Sequence, residues 1–178
     1  MNRIPPLPYD EWDTEAMASF APGRKLLPSN ALGLFAQHPE LATAFLGYNR
    51  YLLSRRSTLS PRTRELAILR VAWRRRCQYE WVQHVLIARK AGVTDEEIDA
   101  IRAGEPTAIT RAVDELEADS GLSDDTYRAL AAELDDRQLM DLVFTVGTYG
   151  LLAMVLNTFE VELDPGFTVE NFTNASGE

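Results

Sequence analysis

A thiol, a carboxylate and an imidazole lie close together in the segment CQYEWVQH, residues 77–84. Cys77 is the only cysteine of the chain and His84 is one of its two histidines, with Glu80 between them. At about 100° per residue, a helix would place Glu80 and His84 within roughly 60° of Cys77, on one face. Such a set could move protons through the imidazole, which titrates near neutral pH, or react through a thiolate.

The charge distribution around this segment bears on what it could bind. Four arginines precede it: Arg70, Arg74, Arg75 and Arg76. They favour either a solvated helix face with acidic partners one turn away or an anion-attracting rim for a carboxylated substrate. The chain as a whole carries a net charge of -9, which repels nucleic acid and anionic lipid. We therefore expect a small-molecule partner and neither nucleic acid nor a membrane.

Helices are predicted almost throughout the chain, because the sequence shows helical spacing of apolar residues and no alternating strand pattern. Apolar residues at Leu41, Phe45, Tyr48 and Leu52 predict a first amphipathic helix ending near residue 53. Two further helix starts are marked by Ser60-Pro61 and by the capping-box pattern of residues 94–97. The predicted helices after the first span about residues 61–91, 95–102, 108–119, 124–134 and 136–159. The segment CQYEWVQH is thus expected to continue the helix that begins at Pro61.

The chain is predicted to form one helical domain with two extensions. Residues 1–28 are a proline-rich arm with at most one short helix near 14–20, residues 29–164 form the domain, and residues 165–178 form a tail. Arms of this kind often pack on a neighbouring subunit. The last helix has fifteen uncharged residues from Leu142 to Leu156, too few for a membrane span, which predicts a buried core or interface helix. Its apolar surface favours a homo-oligomer.

The cysteine content and the N-terminus indicate the compartment. One cysteine permits no internal disulfide and no cysteine-based zinc site within one chain, so neither a metal nor a cofactor is expected. The N-terminus lacks the apolar run of a secretory signal, and Pro5, Pro6 and Pro8 would interrupt one. We expect a cytoplasmic protein, in which the sequons at Asn171 and Asn174 occur by chance.

Three stretches of the sequence resemble one protein family. The run LSPRTRELAILRVAWRRRCQYEWVQHVLIARKAGVTDEEIDAI resembles the signature region of the carboxymuconolactone decarboxylase family, which includes the alkyl hydroperoxidase D proteins. HPELATAF and DLVFTVGTYGLLAMVLN resemble its flanking elements, particularly in a branch with a QYEW or EYEW motif. The resemblance covers residues 36–163. It implies an all-α, alkyl hydroperoxidase D-like fold that assembles into trimers or hexamers, with dimers as an alternative, and an active site near the start of the motif helix.

The family's peroxidase branch has the pattern Glu, eleven residues, Cys, two residues, Cys, three residues, His. On this sequence Glu65 matches the acid, Cys77 the first cysteine and His84 the histidine, whereas Glu80 replaces the second cysteine. A two-cysteine relay is therefore absent. We expect instead a metal-free lyase, decarboxylase or isomerase acting on a small carboxylated ring or lactone. His84 would be the general acid/base, Glu80 would orient it or share its proton, and Glu65 would complete the relay.

Two other functions remain open at this point. Cys77 could act as a one-cysteine thiol peroxidase or reductase with an external thiol, or the chain could be a non-catalytic helical binding protein. Structural roles also remain open: Glu65 could pair with a nearby arginine, Glu80 with Arg76, and His84 could be a satisfied core residue. The candidates for substrate binding are Tyr79, Trp81, Arg76 and Tyr149.

Overall fold

The computed structural model describes residues 2–23 and 25–168, and within these ranges it contains α-helices and no strand. The helices are α1 (Thr14–Ala18), α2 (Asn30–Ala36), α3 (Pro39–Leu53), α4 (Pro61–Arg74), α5 (Gln78–Lys90), α6 (Asp95–Ala103), α7 (Ala108–Asp119), α8 (Asp124–Ala131) and α9 (Asp136–Thr158), with a 3-10 turn at Tyr9–Glu11. The predicted all-α fold is confirmed. The sequons at Asn171 and Asn174, and the tail beyond residue 168, lie outside the described residues.

Helix α4 is the centre of the fold. It packs against α5, α6, α7 and α9, and most of its residues from Arg64 to Ala72 are buried. Ile68 and Val71 on one side meet Leu142 and Val146 of α9 in the main core cluster. Its start is fixed locally, since the Ser60 hydroxyl accepts a hydrogen bond from the Thr63 N–H and Pro61 occupies the first helical position. Side chains on different sides of α4 therefore contact different helices.

The continuous helix predicted for residues 61–91 is wrong, because the chain reverses after Arg74. Arg76 adopts the left-handed conformation with φ of 52°, and Cys77 then caps the start of α5. The Cys77 N–H donates to the Ala72 carbonyl at 2.9 Å, which closes the turn at the end of α4. Helix α5 consequently folds back along α4.

Helix α9 is apolar enough and long enough to cross a membrane by length and composition alone. The same test is passed by the core helix of a soluble protein, and 61% of the tested window is buried against the rest of the chain. Its opposite side exposes large apolar residues, namely Met140, Val143, Phe144, Leu151 and Met154. One face of α9 thus lies in the core as predicted, whereas residues 2–23 and 25–168 leave the other face uncovered.

The N-terminal arm packs against α2 and α3 of its own chain. Trp12 and Met17 are buried against Ala42 and Leu46 of α3. The arm crosses α2 so closely that a Cβ on Gly33 would lie 2.7 Å from Pro6 Cβ, which explains a glycine at this helical position. Helix α2 itself was not predicted, and α8 ends at Ala131, short of the predicted residue 134.

Candidate active site

Glu65 and His84 form a buried pair between α4 and α5. Glu65 Oε2 lies 2.6 Å from His84 Nδ1, and Glu65 has no exposed surface. Its other oxygen lies 3.3 Å from Arg64 Nε, a guanidinium that also donates to the Leu52 carbonyl. The two residues are 19 positions apart, which on one continuous helix would be about 28 Å. The reversal at Arg76 is therefore what brings them together.

The contact to Glu65 fixes how His84 can act. A carboxylate on Nδ1 holds that nitrogen as the N–H donor, so the neutral ring carries its lone pair on Nε2. Among the described residues Nε2 has no hydrogen-bond partner. The ring of Tyr149 packs edge-on against the imidazole, with centroids 4.9 Å apart and planes at 89°. His84 is thus held in one orientation with a free basic nitrogen.

Glu80 lies one turn before His84 on α5 and is 3% exposed. Burial raises the pKa of its carboxyl to about 8; the Cys77 thiol beside it opposes the shift and the charge of Glu117 adds to it. Apart from this thiol, neither carboxyl oxygen has a hydrogen-bond partner within the described part of the chain. The predicted alternative, an ion pair with Arg76, is absent there. At neutral pH Glu80 is therefore mostly a neutral acid beside a base.

The two catalytic candidates on α5 line a cavity of about 500 Å³. Helices α2, α3, α5 and α9 form its walls, and the N-terminal arm and the segment after α9 line its rim. The lining residues are Phe20, Leu27, Pro28, Ser29, Ala31, Leu32, Phe35, Phe45, Leu46, Asn49, Leu53, Tyr79, Glu80, Gln83, His84, Ile87, Tyr149, Leu152, Leu156, Asp164, Pro165 and Phe167. The size suits a small organic molecule.

Asn49 and Asp164 line this cavity and were not predicted. Asn49 is 6% exposed, and its side-chain oxygen has no hydrogen-bond partner among the described residues. Asp164 accepts hydrogen bonds from Tyr79 Oη, Gln83 Nε2 and the Asn30 N–H at 2.8, 2.8 and 2.6 Å. A polar residue among the buried positions of α3 was a signal for Asn49, whereas nothing local marks Asp164.

Comparisons with known proteins agree with this architecture. Residues 39–118 match the model of the carboxymuconolactone decarboxylase family. This match confirms the family resemblance seen in the sequence. The sequence matches no curated protein.

Solved structures share the fold at low sequence identity. An uncharacterized peroxidase-related protein from Silicibacter sp. TM1040 has a TM-score of 0.71 at 17% identity, over 92% of this chain and 89% of its own. One from Ralstonia eutropha JMP134, described as an alkylhydroperoxidase AhpD core, has 0.71 at 18%, over 89% and 87%. The debrominase Bmp8, solved with 2,3,4-tribromopyrrole, has 0.68 at 16%, over 91% of both chains. These likenesses establish the fold alone.

Cys77 matches the first cysteine of the family's peroxidase pattern, but its side chain is poorly placed to react. Its side chain is completely buried with Tyr79, Ala153 and Leu156, and it does not line the cavity. Burial raises the pKa of the thiol well above its usual range, and the charge of Glu80 adds to the effect. A buried, protonated thiol is a weak nucleophile. The geometry therefore does not support the predicted catalytic role of Cys77.

Two of the four predicted substrate-binding residues lie outside the cavity. Trp81 is buried in the cluster between α4, α5 and α6 and packs on Trp73, with ring centroids 5.1 Å apart. Arg76 lines a separate depression with Gln78 and Glu160. Trp81 is two residues from Tyr79, about 200° around α5, so the two side chains cannot face the same cavity. Arg76 lies in the turn before α5. Tyr79 and Tyr149 do line the cavity, as predicted.

Three of the four arginines before the motif have acidic partners on α7 rather than one turn away on their own helix. Arg70 makes a two-pronged pair with Asp114, both contacts at 2.8 Å, and Arg74 lies 3.3 Å from the same carboxylate. Arg75 pairs with Glu117. These long-range pairs fix α4 to α7 and leave none of the three on the cavity wall. In the described ranges no cluster of three His, Cys, Asp or Glu residues could hold a metal ion.

Proposed function

We propose that this protein is a cofactor-free enzyme that transfers protons on a small ring or lactone substrate, as an isomerase or a lyase of the decarboxylase type. The observation that carries the proposal is the Glu65–His84 pair, 2.6 Å apart, with Glu80 one turn away on the wall of the same cavity. A base and a neutral acid side by side are what proton transfer at carbon requires. Family membership and the debrominase neighbour are consistent with an enzyme.

In the isomerase form, His84 Nε2 takes a proton from a carbon next to the substrate carbonyl. The electron pair of that C–H bond moves toward the carbonyl oxygen, to which the neutral Glu80 carboxyl donates a hydrogen bond. Glu65 stabilises the imidazolium that has formed, because its carboxylate is buried against Nδ1. Return of the proton to another carbon completes the isomerisation.

In the lyase form, the same groups act in a different order. The bond between a ring carbon and its carboxylate breaks, CO2 leaves, and the electron pair remains on the substrate as a dienolate. Glu80 then supplies the proton that the carbanion needs. Both forms use only three side chains. Glu80 and His84 line the cavity, and Glu65 contacts His84 from behind the cavity wall.

The alternative of a thiol peroxidase or reductase at Cys77 has less support, because the thiol is enclosed and protonated. It predicts that Cys77→Ser abolishes peroxide consumption. The proton-transfer proposal predicts that Cys77→Ser retains turnover of the carbon substrate. A non-catalytic binding role predicts that no substitution at Glu65, Glu80 or His84 changes a measurable reaction.

The test is mass spectrometry in D2O on a panel of lactones, lactone acids, β-keto acids and hydroxylated ring compounds. Wild type should cause one compound to take up deuterium or to lose CO2. His84→Ala should abolish this, and Glu65→Gln should slow it by about 100-fold or more. His38→Ala is the matched control, since His38 only caps α3 through Nδ1 and lies outside the cavity. Unchanged turnover in His84→Ala would refute the proposal.

We also propose that the chain forms a homo-oligomer and works in the cytoplasm. The exposed apolar residues of α9 continue onto α3, where Tyr48 packs edge-on against Phe144 at 6.4 Å. An apolar surface of this kind favours association with a second copy. The free cysteine is consistent with a reducing compartment.

A further inference from the structure

The walls of the cavity are mostly aromatic and aliphatic. Phe20, Phe35, Phe45 and Leu152 form much of the lining, and Phe35 stacks on Phe45 with centroids 5.2 Å apart. A ligand in a cavity of about 500 Å³ would lose most of its hydration to these walls. Its binding energy therefore comes mainly from an apolar body, and each polar group must meet a specific partner.

The described walls carry two carboxyl groups, Glu80 and Asp164, and the imidazole of His84. No lysine or arginine of residues 2–23 and 25–168 lines the cavity. The nearby Arg64 guanidinium is already engaged by Glu65 and the Leu52 carbonyl. Beside the Asp164 carboxylate, a ligand carboxylate would be desolvated without a compensating lysine or arginine among residues 2–23 and 25–168, which is unfavourable. This argues against the carboxylated substrate expected from the sequence.

A cationic ligand is also poorly matched. The Asp164 carboxylate already accepts three hydrogen bonds from Asn30, Tyr79 and Gln83. Glu80 is mostly neutral at pH 7, because burial raises its pKa to about 8. Little negative charge is therefore free to pair with an amine, and an uncharged ligand fits best.

Two buried polar side chains on the wall lack ordinary hydrogen-bond partners among the described residues. The Asn49 side-chain oxygen on α3 has none there, and the Glu80 carboxyl on α5 has only the Cys77 thiol beside it. Leaving a buried acceptor unpaired is unfavourable, and a matching ligand group would remove that cost. The Asn49 oxygen requires a donor, whereas the neutral Glu80 carboxyl can donate to an acceptor.

We infer that the substrate is an uncharged, largely apolar ring compound that presents a hydroxyl or N–H group to Asn49 and a carbonyl oxygen to Glu80 and His84. The inference rests on the proposed function for its reacting end. It makes Asn49 a specificity residue that the sequence did not reveal. It also favours the isomerase form of the reaction, because decarboxylation needs a carboxylate on the substrate.

The inference is tested with four probes on one ring: 4-hydroxyacetophenone, acetophenone, 4-hydroxybenzoate and 4-hydroxybenzylamine. Binding to the full chain is measured by titration calorimetry and ligand-observed NMR at slightly acidic pH, where the phenols are neutral. 4-Hydroxyacetophenone should bind about 10-fold or more tightly than the benzoate or the benzylamine. Asn49→Leu should weaken it by about 10-fold and leave acetophenone unchanged, which also shows that the variant is folded. Asn157→Leu, on α9 outside the cavity, should change neither.

Tighter binding of the benzoate or the benzylamine overturns the inference, as does equal weakening of both ketones by Asn49→Leu or failure of 4-hydroxyacetophenone to bind. Titrating the same probes into His84→Ala measures ligand binding in a variant that lacks the proposed base, and so separates the ligand class from the proposed chemistry. If probes bind as expected but no compound exchanges protons with wild type, the proposed chemistry fails and the ligand class stands. If a carboxylated compound is turned over through His84, the chemistry stands and the ligand class fails.

Discussion

Replacing Glu80 by glutamine should make the protein more stable while removing its proton donor. The pKa of the buried carboxyl is about 8, against 4.5 for a free glutamate. Between these values the folded protein holds a proton that the unfolded chain has released, so the free energy of unfolding falls as the pH rises. Each tenfold difference in proton affinity is worth about 1.4 kcal/mol, which gives a total loss of about 5 kcal/mol. About 3 kcal/mol of this is already lost at pH 7.

Glutamine resembles the protonated acid in shape and carries no charge that could be desolvated. Glu80→Gln should therefore match wild type near pH 4.5 and exceed its free energy of unfolding by about 3 kcal/mol at pH 7 and about 5 kcal/mol above pH 8. Urea unfolding at a series of pH values measures this directly. Glu96→Gln removes an exposed carboxyl from α6 and serves as the control. A Glu80→Gln variant with the same pH dependence as wild type would refute the reasoning about this buried acid.

Two further predictions concern the packing around the site. Asp141→Asn should lower the free energy of unfolding by about 2–4 kcal/mol in the same assay, because this buried carboxylate accepts hydrogen bonds from Thr58, Ser57 and Tyr51. Burial would raise the pKa of Asp141, but these donors outweigh it and lower the pKa, so wild type should lose this contribution as the pH falls below 3.8, whereas the variant should not. The double substitution Phe144→Glu and Leu151→Glu on the exposed side of α9 should yield monomers by light scattering. Unchanged mass, or a monomeric wild type, would contradict the proposed oligomer.

The helix starts could be predicted because their signals are local. The capping box that opens α6 joins Thr94 and Glu97 within one turn, and the sequence pattern shows it directly. The reversal at Arg76 could not be predicted in this way, since arginine has no preference for positive φ and neither glycine nor proline marks the position. The positive φ of Arg76 was therefore not predicted, although the Glu65–His84 pair depends on it.

The buried face of α3 shows why the cavity could not be predicted from the sequence. The spacing of Leu41 and Tyr48 predicted one buried stripe, but both are exposed, and the helix instead buries Ala42, Leu46 and Asn49. Apolar spacing cannot distinguish two adjacent stripes when both are apolar, because the choice is made by the partner helices. The motif named Glu65 and His84 as members of one site, but their direct contact depends on the reversal at Arg76. Glu65 rather than Glu80 is the partner of the His84 ring.

Both ends of the sequence contribute to the cavity wall, through Phe20 and Leu27 on one side and Asp164 to Phe167 on the other. During translation, the base and the acid emerge from the ribosome well before the segment that encloses them. A nascent chain therefore carries an open, partly hydrophobic cleft until residues 164–167 have been synthesised and Asp164 has bound Tyr79 and Gln83.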